Sequence, residues 1–162
     1  MKAINTVSFN TRTAFQRETE FISVTVAGQL LGLPIGRVHD VFVVSEMTKV
    51  PLAQAEIAGL LNLRGRVVTA VSLRSRLGLQ EDHRTGRRMA VGLECQGEAY
   101  GLLVDEVGDV LKLNPAEMQP NPVHMDRRWV SLSQGVHQLQ GVLMIVLDVD
   151  AVLAFEAERE AA

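Results

Sequence analysis

The chain repeats itself, and it does so in two registers. Residues 20–44 align with residues 89–113 at an offset of 69, with Gly28/Gly97, Gly32/Gly101, Leu33/Leu102, Val38/Val107, Asp40/Asp109 and Val41/Val110 identical. Residues 59–79 align with residues 135–155 at an offset of 76, with Gly59/Gly135, Leu63/Leu139, Gly65/Gly141 and Leu77/Leu153 identical. A chain of this kind builds one supersecondary unit twice and buries the apolar face of each against its neighbour. The copies differ most in chemistry at one turn, which reads Asn62-Leu63-Arg64-Gly65 in the first and Gln138-Leu139-Gln140-Gly141 in the second. Shared glycines and apolar positions belong to the architecture. An arginine present in only one copy does not, and it points to binding.

Each copy reads as about five short strands and one short helix. Ile22, Val24 and Val26 alternate with Ser23 and Thr25, the pattern of a half-buried strand. Gly28 supplies a turn into a second strand over Leu30–Leu33. Pro34 lacks the amide a central strand needs and marks a strand end. Val38–Val44, Leu60–Leu63 and Arg66–Val71 follow as strands. Ser72 caps a short helix over Leu73–Leu77, and Gly78 ends it. The second copy repeats this order: Met89–Cys95, Tyr100–Val104, Val107–Leu113, Trp129–Gln138 and Gly141–Leu147 as strands, Asp148 as cap and Asp150–Ala157 as a closing helix. Its connection over 114–128 is seven residues longer than that of the first copy, the difference between the two offsets. Val142–Leu147 has no polar alternation, so both of its faces should be covered. Five strands in an open sheet leave two exposed edges, and curling into a small barrel removes them. The expected fold is all-β: two pseudo-repeated five-stranded barrels of the SH3-like kind, packed together. The expected organisation is a mobile arm over 1–19, a first barrel over 20–79, a linker over 80–88, and a second barrel with the closing helix over 89–157.

Bulk properties weigh against several function classes. Net charge is −3, the pI is about 5.8 and aromatics are 4% of the chain. A barrel that binds nucleic acid needs a basic groove and stacking platforms. The four histidines, His39, His83, His124 and His137, show no metal-ligand spacing with one another or with the single Cys95, so no metal is expected. The sequence has no phosphate loop, nucleophile elbow or acid–base dyad, and neither catalytic residues nor a cofactor are expected. Small barrels are filled by their own side chains, which disfavours an enzyme or a small-ligand carrier. The N-terminus has no signal core, and the longest apolar run, Val142–Leu147, is far short of the roughly 20 residues that span a bilayer. A single cysteine suits a reducing compartment, so a soluble cytoplasmic protein is expected.

Three segments carry a family resemblance. They are Gly32-Leu33-Pro34-Ile35-Gly36-Arg37-Val38-His39-Asp40-Val41, Gly59-Leu60-Leu61-Asn62-Leu63-Arg64-Gly65-Arg66-Val67-Val68, and Gly101-Leu102-Leu103-Val104-Asp105-Glu106-Val107. Together they resemble the CheW family of chemotaxis coupling proteins, from about Glu20 to Phe155. The resemblance implies two five-stranded barrels and a non-enzymatic adaptor role. The adaptor would bridge the cytoplasmic tip of a chemoreceptor (a methyl-accepting chemotaxis protein) to the regulatory domain of a CheA-type histidine kinase. It would lie at receptor arrays on the inner face of the membrane, associated with the membrane only through receptors. In that family the receptor tip lies in the groove between the barrels and the kinase meets barrel ends. Carried over to this chain, the coupling positions are Val38, Asp40, Gly59 and Arg64, and Asn62 joins them as part of the Arg64 turn. The chain departs from the family at Thr69, where a proline is common, and at Ser72, where an aspartate is common. Serine caps nearly as well as aspartate.

Each site residue has a plain structural reading beside the functional one. Arg64 serves either as a fork tying loops together or as a partner contact. Val38 is a strand valine that would ordinarily face a core. Asp40 has a counterpart in Asp109, which suits loop capping. Two other functions stay open on the residues: a nucleic-acid-binding small barrel, and coupling in a receptor–kinase pathway that does not control motility.

Overall fold

The computed structural model describes residues 20–63, 65–81 and 88–154. Arg64, the expected arm over 1–19, most of the expected linker and residues 155–157 of the expected closing helix lie outside the described residues.

The elements follow the periodicities. Strands β1 (Glu20–Val26) and β2 (Gln29–Pro34) form a hairpin, with Pro34 at the strand end. Its turn has positive φ at both central residues, Ala27 at 51° and Gly28 at 80°. Such a turn matches the twist of the strands it joins. The second copy repeats it at Gln96 (52°) and Gly97 (81°), between β6 (Arg88–Cys95) and β7 (Glu98–Val104). The remaining strands are β3 (Val38–Val44), β4 (Ile57–Leu63), β5 (Arg66–Ser72), β8 (Glu106–Lys112), β9 (Ser133–Leu139) and β10 (Val142–Leu147). Short helices α1 (Leu73–Arg76) and α3 (Val149–Val152) start at matching caps. Ser72 Oγ accepts from the Ser75 amide at 3.1 Å, and Asp148 Oδ1 accepts from the Ala151 amide at 3.2 Å.

One element differs in kind from the sequence reading. Residues Arg127–Leu132, partly assigned to a strand above, form helix α2. Asp126 caps it by accepting from the Arg128 amide at 2.8 Å, the Trp129 indole donates to the Leu77 carbonyl at 2.9 Å, and Leu132 is buried. The cap and the tertiary contacts override the strand propensity of Trp129 and Val130.

The strands pair across the two copies. One sheet has the order β8-β1-β2-β10-β9 and the other β3-β6-β7-β5-β4. Each opening hairpin therefore inserts into the last three strands of the opposite copy, and adding five to every strand number turns the second order into the first. The register repeats as well: Thr69 faces Tyr100 and Ala70 faces Gly101 in the parallel β5–β7 pair, while Ile145 faces Leu31 and Val146 faces Gly32 in β10–β2. This corrects the sequential organisation expected above, in which 20–79 and 89–157 would each close a barrel alone. The interlocked arrangement buries the same apolar pattern and ties both copies into one unit.

Both sheets close in the same way. The chain beyond β3 bridges β4 at Thr48–Leu60, and the chain beyond β8 bridges β9 at Gln119–Val136. Inside the barrel of β3–β7, Leu61, Val68, Ala70, Ala90 and Leu103 are buried with Phe42 and Val44 against them. Inside the other, Phe21, Met144 and Val146 pack with Leu30, Leu111 and Leu139. The largest cluster lies between the barrels and draws on both, including Val24, Leu31, Leu33, Val91, Leu93, Leu102, Ile145 and Leu147. Strand β10 thus sends Met144 and Val146 into its own barrel and Ile145 and Leu147 into the shared core, which accounts for its unbroken apolar run.

Candidate functional site

The end of the β3–β7 barrel opens into a cleft of about 350 Å³. His39 and Asp40 come from β3, Gly92 and Glu94 from β6, Tyr100 from β7, and Leu63 and Arg66 from the ends of β4 and β5 beside the Arg64 turn. A bulge between Val38 and Asp40 sets their directions in the β3–β6 pair. It places Asp40 opposite Gly92, where an added Cβ would run into the Asp40 carboxylate. The glycine leaves the space that the carboxylate occupies. The exposed rim carries a His39–Glu94 pair at 3.3 Å, and the Tyr100 hydroxyl donates to Glu98 at 2.9 Å.

The sequence-derived positions separate here. Asp40 lines the cleft. Asn62 is exposed at the end of β4, opposite Val67, which is itself 67% exposed. Val38 is half-buried and packs against the core between the barrels. Gly59 is buried away from the cleft, directly under the closing bridge, where an added Cβ would lie 2.6 Å from the Thr48 carbonyl oxygen. Arg64 lies outside the described residues, although both neighbours of its turn, Leu63 and Arg66, line the cleft. His39, Arg66 and Glu94 were not singled out from the sequence. Their counterparts in the other copy are Gly108, Val142 and Thr25, so the comparison of copies that isolates Arg64 also isolates them.

At the rim, Arg37 donates to the Glu94 carbonyl at 3.2 Å and to Asp150 at 2.7 Å. The hydrogen bond from Arg37 holds the Asp150 carboxyl below the usual carboxylate range, and the same bond raises the guanidinium. Burial, with Asp150 adding to it, pushes the Cys95 thiol up. A thiol held protonated is a poor nucleophile. Among the described residues no group of His, Cys, Asp and Glu could hold a metal ion, and no helix is long and apolar enough to cross a membrane.

Interlocked small barrels with filled interiors, and a polar cleft at the end of the β3–β7 barrel, define an interaction module. Residues 20–157 match the family model described as the CheW-like domain. The chain is 32% identical over 143 residues to a chemotaxis protein CheW of Rhizobium meliloti, covering 88% of this chain and 92% of that one. It is 29% identical over 137 residues to a chemotaxis protein CheW of Thermotoga maritima, covering 85% and 89%. The crystal structure of the scaffolding protein TtCheW from Thermoanaerobacter tengcongensis has the same fold, with a TM-score of 0.74 at 24% identity over 83% of this chain and 92% of that one. The chain belongs to the CheW-like family, and it is a non-enzymatic chemotaxis adaptor.

Proposed function

We propose that the chain couples the cytoplasmic tip of a chemoreceptor to the regulatory domain of a CheA-type histidine kinase, and that it works at receptor arrays. The mechanism is geometric. Separate surfaces hold receptor and kinase in one lattice, so that a small receptor motion shifts the kinase between active and inactive states. Each contact can be modest, because linked contacts raise the effective concentration of the next.

The observation that supports this reading most is the asymmetry of the barrel ends. The fold is pseudo-symmetric down to its strand register, yet His39, Arg66, Glu94 and Tyr100 surround the cleft in one copy where Gly108, Val142, Thr25 and Leu31 stand in the other. Architecture does not require that difference. We assign Asp40, Asn62 and Arg64 to the partner contact and give Val38 and Gly59 the task of shaping it from beneath. Truncating an interfacial charged, hydrogen-bonded group costs about 1–3 kcal/mol of binding. Co-sedimentation with receptor-containing membranes, with and without the kinase, tests the assignment while kinase autophosphorylation is followed. Arg64→Ala should weaken recruitment and activation together. Unchanged recruitment and activation would remove Arg64 from the contact.

A further inference from the structure

A second opening, of about 430 Å³, lies between α1 and α2 and shares no lining residue with the cleft at the barrel end. Its walls carry three guanidinium groups, Arg76, Arg127 and Arg128, with the hydroxyls of Ser75 and Ser131 and one carboxylate, Glu56. From this geometry we infer that the opening is a docking site for an acidic segment of a protein partner.

Three observations carry the assignment. First, the chain pairs two of its arginines with its own acids, Arg37 with Asp150 at 2.7 Å and Arg74 with Asp105 at 2.6 Å, while Arg66 and Arg88 stand apart from this opening without such a pair among the described residues. Among the described residues, Arg127 and Arg128 have no such ion pair, although Glu56 lines the same opening and the chain carries net charge −3. Second, both arginines stand in the longer connection of the second copy, and the corresponding connection of the first, residues 45–58, contains no arginine, so the duplicated fold does not require them. Third, Arg76 fixes one wall. It is 7% exposed, and it is anchored to the Val152 and Ala151 carbonyls at 2.8 and 2.9 Å. A fixed cation beside two exposed, adaptable ones suits a row of carboxylates. Arginine forks bind carboxylates two-pronged. A solvent-open groove with no glycine-rich amide cradle among its lining residues suits a peptide better than an isolated phosphate. The site does not depend on the coupling role of Arg64.

Fluorescence anisotropy of a labelled hexaglutamate peptide, titrated with the full chain at low salt, tests the inference. The Arg127→Ala/Arg128→Ala double variant should lose at least tenfold in affinity. The Lys49→Ala/Lys112→Ala double variant, which has the same net charge, should lose less than twofold. Both substituted pairs lie at exposed positions, and unchanged circular dichroism verifies folding. Equal losses in the two variants would reduce the effect to overall charge and overturn the assignment, as would no loss in the first. A chain shortened after Phe155 decides the remaining case. A tenfold gain in affinity there would mean that the chain's own Glu156, Glu158 and Glu160 compete for the groove, and would overturn an external partner as its occupant.

Discussion

Arg76 donates from Nε to the carbonyl oxygen of Val152 at 2.8 Å, and Val152 is the residue that stands in Arg76's own place in the other copy. A contact between counterparts can form only where the pseudo-twofold axis passes. The neighbouring bonds obey the same symmetry: the Ser72 amide donates to Glu56 and the Asp148 amide to Leu132, both at 2.8 Å. The two short helices therefore meet at the axis, and one buried guanidinium satisfies carbonyls at the end of the other helix. Replacing Arg76 by Leu keeps most of the bulk but strips the Val152 carbonyl of its guanidinium donor and leaves the Ala151 carbonyl with backbone donors only. The expected loss is about 2–3 kcal/mol, the usual range for a buried charged hydrogen-bonding group. A urea unfolding midpoint that does not move would show that the axis is held by apolar packing alone.

Gly59 and Gly135 are counterparts, and each lies under the strand that closes its barrel. An added Cβ would sit 2.6 Å from the Thr48 carbonyl oxygen at Gly59 and 2.7 Å from the Gln119 carbonyl oxygen at Gly135. Backbone cannot swing aside as a side-chain end can, so either Gly→Ala substitution must push the closing bridge open. Overpacking of this kind costs about 1–3 kcal/mol. The cost should be larger at Gly135, whose φ of 151° is also unfavourable for a residue with a side chain. Any partner-binding defect of Gly59→Ala should then track lost stability. A Gly59→Ala protein with an unchanged melting temperature and weakened partner binding would make Gly59 a contact instead.

Much of the fold can be read in the residues, and what escapes has a specific cause. Alternation, turn glycines and caps place all ten strands and the helices after Ser72 and Asp148, because each depends on local chemistry. The exchange of hairpins does not show. Ile22 and Val91 are counterparts, as are Leu33 and Leu102, and all four are buried in the shared core, so inserting a hairpin into its own copy or the other produces the same apolar pattern. The mismatch of Glu94 with Thr25 is legible, but its place beside Asp40 is not, since β6 meets β3 only through the exchange. Arg76 could have been found, because an arginine opposite Val152 is the same kind of mismatch as Arg64 opposite Gln140.

Two ion pairs occupy neighbouring places in the two copies with their charges reversed, Arg37 standing one residue beyond the counterpart of Asp105. Arg74 on α1 holds Asp105 after β7, and Asp150 on α3, the counterpart of Arg74, holds Arg37 after β2. Their surroundings differ. Arg74 and Asp105 are 17% and 27% exposed, and Asp105 accepts through both oxygens from Arg74 and also from the Ala27 amide at 2.8 Å. Asp150 is 68% exposed and its pair is open to water. Removing one partner of a desolvated pair strands the other, so Asp105→Ala should cost about 2–3 kcal/mol. Asp150→Ala should stay within about 1 kcal/mol, the ordinary worth of a surface pair. Asp150 has a depressed folded pKa, so its small contribution is present above the ordinary carboxylate pKa and is lost as pH falls through the folded value. Equal destabilisation by the two variants at pH 7 would contradict this ranking.

His137 stands inside one barrel where its counterpart, Leu61, stands inside the other. The imidazole is 3% exposed, its ring lies 6.0 Å from that of Phe21, and its buried Nε2 has no hydrogen-bond partner among the described residues. Burial pushes its pKa down, and the nearby Glu117 opposes that only in part. A histidine with a lowered folded pKa binds its proton more readily in the unfolded chain. Its contribution is therefore fully favourable above the ordinary imidazole value of about 6.5 and declines as pH falls from there towards the folded pKa. The wild-type chain should lose stability between pH 7.5 and pH 5, while His137→Leu should flatten that slope. Removing an unsatisfied buried nitrogen should also raise stability at pH 7 by about 1 kcal/mol. Denaturant midpoints measured for both proteins across this range check the sign. A slope unchanged by the leucine would assign the acid sensitivity to other groups.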